Sequence, residues 1–363
     1  RMEASPYGES DKKRSGLRID IPCPEGSEHK VRENVTMPIL DVLGELHGSR
    51  LPDGKVCIIT GSTGTYSYSR NGYDVTGPGL ILANAAAAGT GIAPDATIIA
   101  RLDADAKIAL PDYFWRKVEA LADGAGGRLI VPAAAEEYFT ALLALEKPEF
   151  LFKYEVLIAS SPAEAIALCA KLPDESHAAV FAKFKEIKDK SVTDPLGSYL
   201  ANHFVRQRFA EITEAAPYHL SAKLLAVQGA GERPRVLASK ILAAAVFEAI
   251  DGIQQYTDLN IYELNVGSAK SMEDTYGSVR AQLDGLDRFT DIRDRDLLSR
   301  GKGVAAALRS MYRVIGGRGE MWEKHEEVAA AQKALTSANR ELRAELSKLT
   351  GDLLPEDAEA RER

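Results

Sequence analysis

Two carboxylates one residue apart, Asp103 and Asp105, and a lysine close to two large aromatic side chains, Lys117 after Phe114 and Trp115, are the residues whose types and spacing could do chemistry. Carboxylates spaced as Asp-x-Asp can both reach one hard divalent cation, which takes six or more oxygen ligands. The same segment also reads as a tight turn between two strands. A lysine amine works as a base only when desolvation populates its neutral form, and Phe114 and Trp115 could supply that apolar setting. Taken alone, Lys117 reads as a solvated lysine on an amphipathic helix. Three cysteines (Cys23, Cys57 and Cys169) lie far apart without metal-ligand spacing, and an odd count argues against a disulfide scaffold. Cys57 and Cys169 sit in apolar segments and read as buried thiols. The six histidines show no paired metal spacing and read as structural or surface groups. Gly61-Ser62-Thr63-Gly64-Thr65 is not a phosphate-binding Walker loop, because no Gly-Lys-Ser/Thr follows.

The elements that must position these residues follow from periodicity. Leu17–Pro22 and Val56–Thr60 read as strands, and Asn34–His47 has apolar residues at helical spacing. Pro52-Asp53-Gly54 reads as a turn. The stretch from Gly61 to Gly79 reads as a Gly/Ser/Thr/Tyr loop closed by a Gly77-Pro78 turn, and Leu80–Gly89 as an Ala-rich helix able to pack closely on a sheet. Thr97–Leu102, Ala106–Ala109, Arg128–Val131 and Phe152–Ile158 read as strands. Tyr113–Ala122, Glu136–Leu145 and Pro162–Lys171 read as helices, the last opened by a Ser160-Ser161-Pro162 cap. Strands interleaved with helices indicate an α/β domain. Beyond Leu172 strand signals vanish. Helical periodicity continues through Phe181–Ile187, Tyr199–Glu214, Leu220–Val227, Val236–Gln255 and Leu297–Ile315, while Asn260–Asp291 is less regular. Leu335, Ala338, Leu342, Leu346 and Leu349 form a heptad-like seam, read as one amphipathic helix packing on its neighbour or on a dimer partner.

With 363 residues, two or more domains are expected. The expected division is a disordered polar segment over 1–16, an α/β domain over 17–172, an all-α domain over 173–354 and a charged tail over 355–363. A net charge of −8 argues mildly against a nucleic-acid partner. No apolar run approaches the length of a membrane span, and no signal peptide is recognisable. A soluble protein is expected, with the cytoplasm favoured. Because the chain opens Arg1-Met2, a removed targeting segment stays an open alternative.

From Lys55 to Pro132 the order is strand, loop, Gly-Pro turn, small-residue helix, strand, turn, helix with an early lysine, and strand ending in proline. This order resembles the proteolytic domain of Lon-type serine peptidases. The resemblance covers roughly Leu17–Lys171. Glu119–Pro132, Glu136-Glu137, Phe152–Ile158 and Ala163–Ala170 resemble the family's later elements. The segment Ala216-Pro217-Tyr218-His219-Leu220-Ser221-Ala222-Lys223-Leu224-Leu225 is similar to a helical tail behind Lon-like domains that lack the ATPase module. The resemblance implies a serine nucleophile after the Gly-Pro turn and a lysine base about forty residues on. The family's Gly-Gly before the lysine is Asp112-Tyr113 here. Lys117 fills the lysine position. Gly79 stands at the serine position when the Gly-Pro turn is matched, and Thr76 stands there when the helix end is matched. A hydroxyl needs a base within reach, and backbone N–H groups after the turn would hold the oxyanion. Neither aligned residue is serine; Ser67 and Ser69 upstream read as ordinary loop serines.

The expected function is therefore a catalytically degraded Lon-like protein, without cofactor or bound metal, that binds a peptide or protein partner and assembles as a homo-oligomer. The vestigial turn would be Gly77, Pro78 and Gly79. One alternative is an active ATP-independent peptidase using Thr76, or a loop serine, with Lys117. The other is a metal-dependent glycosyltransferase. Cys57–Thr63, Gly77-Pro78-Gly79, Asn84, Ala100–Asp105 and Pro111–Phe114 also resemble nucleotide-sugar enzymes that hold a cation with Asp-x-Asp. Against that reading, the early strand lacks an acidic contact for the base, no acidic catalytic-base motif follows, and the chain after Pro132 does not fit.

Overall fold

The computed structural model describes residues 2–9, 17–23, 25–52, 55–61, 72–191, 195–319 and 323–352. The chain is a mixed α/β protein, predominantly helical with small sheets. It divides into two compact units, residues 1–233 and 234–363.

The first unit holds every described strand. β1 (Met2–Glu9), β2 (Arg18–Asp20) and β3 (Lys55–Gly61) form one sheet with β3 central, antiparallel to β1 and parallel to β2. Disorder expected over the first residues is thereby corrected for Met2–Glu9. Edge pairing is made by main-chain hydrogen bonds, which a polar composition does not reveal. The register shifts between Ser5 and Gly8, where Pro6 falls, as expected of a residue without an N–H donor. Residues 10–16 lie outside the described residues, as do Asp53 and Gly54 of the expected turn.

A continuous helical run packs on this sheet: α1 (Glu28–Val31), a π-helical stretch (Arg32–Thr36) and α2 (Met37–His47). Val31, Val35, Ile39, Val42 and Leu43 recur at three- and four-residue intervals. They are buried against Ile19, Cys57 and Ile59 of the sheet and Leu80 and Ala83 of α3 (Thr76–Ala88). The opposite side of α3 presents Ile81 to a second core with Ile130, Leu157, Ala165, Leu168 and Cys169. Lying between two cores, α3 must be apolar and small all round, and TGPGLILANAAAA supplies that. Cys57 and Cys169 are buried free thiols, as their apolar neighbours predict. Burial pushes the Cys169 thiol up to about 12.

The second sheet is parallel, in the order β4 (Ala96–Ile98), β7 (Gly127–Pro132), β8 (Tyr154–Ala159). Between β4 and β7 the chain makes a hairpin, β5 (Arg101–Leu102) with β6 (Ile108–Ala109), and then α4 (Phe114–Ala120). Helices α5 (Glu136–Ala144) and α6 (Glu149–Lys153) connect β7 to β8, the crossover a parallel pair requires. Then α7 (Pro162–Cys169) covers the sheet, its start capped by Ser161 Oγ accepting from the Glu164 N–H at 3.2 Å.

Four further helices belong to the first unit: α8 (Glu175–Lys190), α9 (Leu196–Ala201), α10 (His203–Ala215) and α11 (Leu220–Ala230). The compact unit thus runs past residue 172, where loss of strand signals placed the boundary. The physical reason is the free edge of β8. The Ile158 N–H donates to the Tyr218 carbonyl at 2.8 Å, and Leu157 bridges His219. Ser221 Oγ accepts from the Val156 N–H at 2.8 Å and donates to the Tyr154 carbonyl at 3.0 Å. Segment 218–221 therefore closes an edge that would otherwise expose a row of donors and acceptors.

The second unit packs four long helices, α12 (Ser239–Asp251), α13 (Val266–Leu286), α14 (Arg295–Gly316) and α15 (His325–Thr350). No strand occurs after β8 among the described residues. The stretch read as irregular contains α13, whose buried line Ala269, Met272, Val279 and Leu283 is masked in sequence by glycines and serines. Asn265 and Ser268 open it with a reciprocal capping box. On α15 the seam turns inward at Leu335, Leu342 and Leu346, which are buried, whereas Leu349 is 42 % exposed. Its neighbours in the unit are α12 and α14.

Candidate functional site

Thr76, Gly77, Pro78 and Gly79 form the first turn of α3, which corrects the expected Gly-Pro turn. Proline is tolerated there because the first helical N–H groups have no partner within the helix. Thr76 is fully buried, and its Oγ1 accepts from the Leu102 N–H at 2.7 Å. Gly77 is required by contact: a Cβ there would collide with the Ala100 carbonyl oxygen. At Gly79 a Cβ would point at the Ile39 Cδ1, 2.8 Å away, with the Ile59 Cδ1 at 3.8 Å. A side chain at 79 therefore enters the apolar core.

On α4, Phe114 and Trp115 are buried as their hydrophobicity demands, and Lys117 is half-buried one turn from Tyr113. Lys117 Nζ lies 2.8 Å from Asp74 Oδ2 and donates to the Asp112 carbonyl at 3.0 Å. Both partners are acceptors, so the amine sits where an ammonium donor fits. Asp74 belongs to a short 3-10 turn, Gly72–Val75, leading into α3. Burial raises the Asp74 carboxyl above the ordinary carboxylate range, against the opposing pull of Lys117, Arg101 and the Asp112 N–H. Tyr113 holds a left-handed backbone, φ +54°, a conformation that glycine adopts at lower cost.

The structure thus places Lys117 on a carboxylate two residues upstream of Thr76, and aims Gly79 elsewhere. Sequence reasoning missed Asp74. The available signal was an acid directly preceding the Val75-Thr76 helix start, across from a lysine already singled out. Ser67 and Ser69 lie outside the described residues.

Asp103 and Asp105 occupy the β5–β6 connection. Asp103 Oδ1 accepts from the N–H groups of Asp105 and Lys107, each at 2.9 Å, while Asp105 pairs with Lys107 at 3.5 Å. Ala106 turns the chain with φ +59°. These bonds give both carboxylates a turn-forming part. Among the described residues no group of three or more His, Cys, Asp or Glu side chains gathers with the spacing of a metal site. No described helix is long and apolar enough to cross a membrane.

Two of the histidines read from sequence as structural or surface groups tie elements together. His219 is fully buried, accepts the Ala222 N–H on Nδ1 at 3.1 Å, and contacts Glu155 Oε1 from Nε2 at 3.0 Å. Because Nδ1 accepts, Nε2 carries the proton given to Glu155. His47 Nε2 meets Asn84 Oδ1 at 2.6 Å and ties α2 to α3.

The chain matches no protein-family model, and no curated protein matches it.

Proposed function

We propose that this protein uses a Lon-type proteolytic fold without peptide hydrolysis, as a peptide- or protein-binding module that assembles with copies of itself. The observation that carries the reading is the Lys117–Asp74 pair at 2.8 Å. A serine–lysine dyad needs the amine to take a proton from a hydroxyl. Here the lysine serves a carboxylate, and the residue at the serine position is a glycine facing Ile39. The element order from β3 to β8 and the left-handed Tyr113 support the family assignment. The hydroxyl that the resemblance offers, Thr76, serves the Leu102 N–H and is closed to substrate by full burial.

The test is a paired measurement on unfolded casein: hydrolysis by gel, and association by fluorescence anisotropy. Association without hydrolysis is the expected result. Hydrolysis abolished by both Thr76→Ala and Lys117→Ala would establish a threonine–lysine peptidase instead. Absence of both hydrolysis and association would sink the peptide-binding half of the proposal.

A further inference from the structure

A cavity of about 430 Å³ opens beside the amino ends of β7 and β8, against the face of α8 that carries Phe181, Lys185 and Lys188. Its volume is that of small-molecule sites. It shares no residue with the Asp74–Lys117 region.

Arg128 and Glu155 are directly paired positions of the two parallel strands, so their side chains leave the same face of the sheet one strand spacing apart. Opposite charges placed as cross-strand neighbours can bond each other, yet these two do not. Arg128 turns one way. Its Nη1 donates to the Leu168 and Ala170 carbonyls at 3.2 and 3.5 Å, and the guanidinium lies over the Phe181 ring at 4.9 Å. Its Nη2 stands 3.5 Å from Asp95 Oδ1, longer than a charge-assisted hydrogen bond, so the guanidinium can take another carboxylate. Glu155 turns the other way. Its Oε1 accepts from His219 Nε2 at 3.0 Å, and its Oε2 has no partner among the described residues. Because His219 is fully buried, that bond fixes where the Glu155 carboxylate sits. The Arg128 side chain is 12 % exposed and that of Glu155 is 14 % exposed, and both line the cavity.

The remaining charges of the lining are balanced. Lys188 Nζ donates to the neutral Lys153 carbonyl at 3.3 Å. Lys185 and Asp189 stand one turn apart on α8, both exposed, and form no ion pair. Three cations, Arg128, Lys185 and Lys188, thus accompany three carboxylates, Asp95, Glu155 and Asp189.

We propose that this cavity binds a free α-amino acid with an aliphatic side chain, its ammonium on Glu155, its carboxylate on Arg128 and its side chain against Phe181 and Ala182. A ligand of one sign meets three groups of its own sign, and like charges brought together are unfavourable. A small molecule with adjacent charges of both signs answers Glu155 and Arg128 together.

L-leucine is the probe, on the full chain at neutral pH. Isocaproate, which lacks the ammonium, and leucinamide, which lacks the carboxylate, are the comparators. Binding is read by titration calorimetry. Each comparator is expected to bind about tenfold more weakly than leucine, the cost of one lost hydrogen bond to a charged group. Glu155→Gln keeps an oxygen for the His219 N–H and removes the charge, so it is the variant least liable to misfold. It should bind leucine about tenfold more weakly than the parent protein does, and no better than it binds isocaproate. No binding of leucine, isocaproate or leucinamide bound as tightly as leucine, or unchanged leucine affinity in a folded Glu155→Gln protein would each overturn the proposal. If that variant fails to fold, the three ligands compared on the parent protein decide alone.

Discussion

Asp74 and Lys117 show how a partly buried charge pair sets stability and its dependence on pH. The Asp74 side chain is 12 % exposed and that of Lys117 is 30 % exposed, so the pair is shielded on one side and screened on the other. Removing the cation leaves a buried carboxylate without its partner, which is costly where burial is complete. Discounted for the exposure of Lys117, Lys117→Met is expected to destabilise by about 2 kcal/mol at pH 7, measured by urea unfolding. The sign with pH follows from the raised Asp74 pKa. The native state holds this proton more tightly than the unfolded chain. The contribution of Asp74 is therefore fully present below the unfolded pKa and is lost as pH rises through the folded one. Once protonated, Asp74 no longer needs Lys117, so the deficit of Lys117→Met should shrink as pH falls into the carboxylate range. A deficit that stays constant or grows toward acid pH would refute this account of the pair.

Elements in this protein are fixed by close backbone approach as much as by hydrophobic faces. The first turn of α3 passes so near Ala100 that only glycine fits at 77. Gly77→Ala should cost about 3 kcal/mol, the upper range for forced overpacking, and a variant unchanged in Tm would show that α3 and β5 are farther apart than described. The edge of β8 offers a second measurement. Ser221 both accepts from Val156 and donates to Tyr154, doing with one hydroxyl what a neighbouring strand would do. Ser221→Ala should lose about 2 kcal/mol by leaving two buried backbone groups unpaired. Amide exchange at Val156 should accelerate in that variant; unchanged protection there would mean the edge is satisfied in another way.

At the scale of the whole molecule, the chain divides at Arg233, and the segment that follows is exposed at Arg235 and Val236. Brief trypsin treatment is expected to cut after Arg235 and to spare the Arg233-Pro234 bond. The fragment beginning there carries the mutually packed helices α12 to α15 and should retain cooperative helical melting by circular dichroism. Primary cleavage instead near residue 172 would place the mechanical boundary at the end of α7.

Sequence by itself determined the parts of this protein that repeat a local rule. The apolar spacing of Ile39, Val42, Leu43 and Leu46 marked α2, though not α1 before it. The run VCII marked β3, the Ser161-Pro162 cap set the start of α7, and the fading of β-branched runs after β8 announced the helical half. The Asp103-Ala104-Asp105 turn was legible for the same reason, since Asx turns are made within a few residues. What only the tertiary structure decided depends on groups far apart in the chain. The pairing of Lys117 with Asp74, the direction of position 79 toward Ile39, and the burial of Thr76 all follow from where α3 lies between two cores. The closure of the β8 edge by Tyr218–Ser221, which carries the first unit to Arg233, is of the same kind. Hydrophobic periodicity reports which face of an element is buried, but not against what. A hydrogen bond between residues 65 or more apart leaves no mark on the local pattern of either partner.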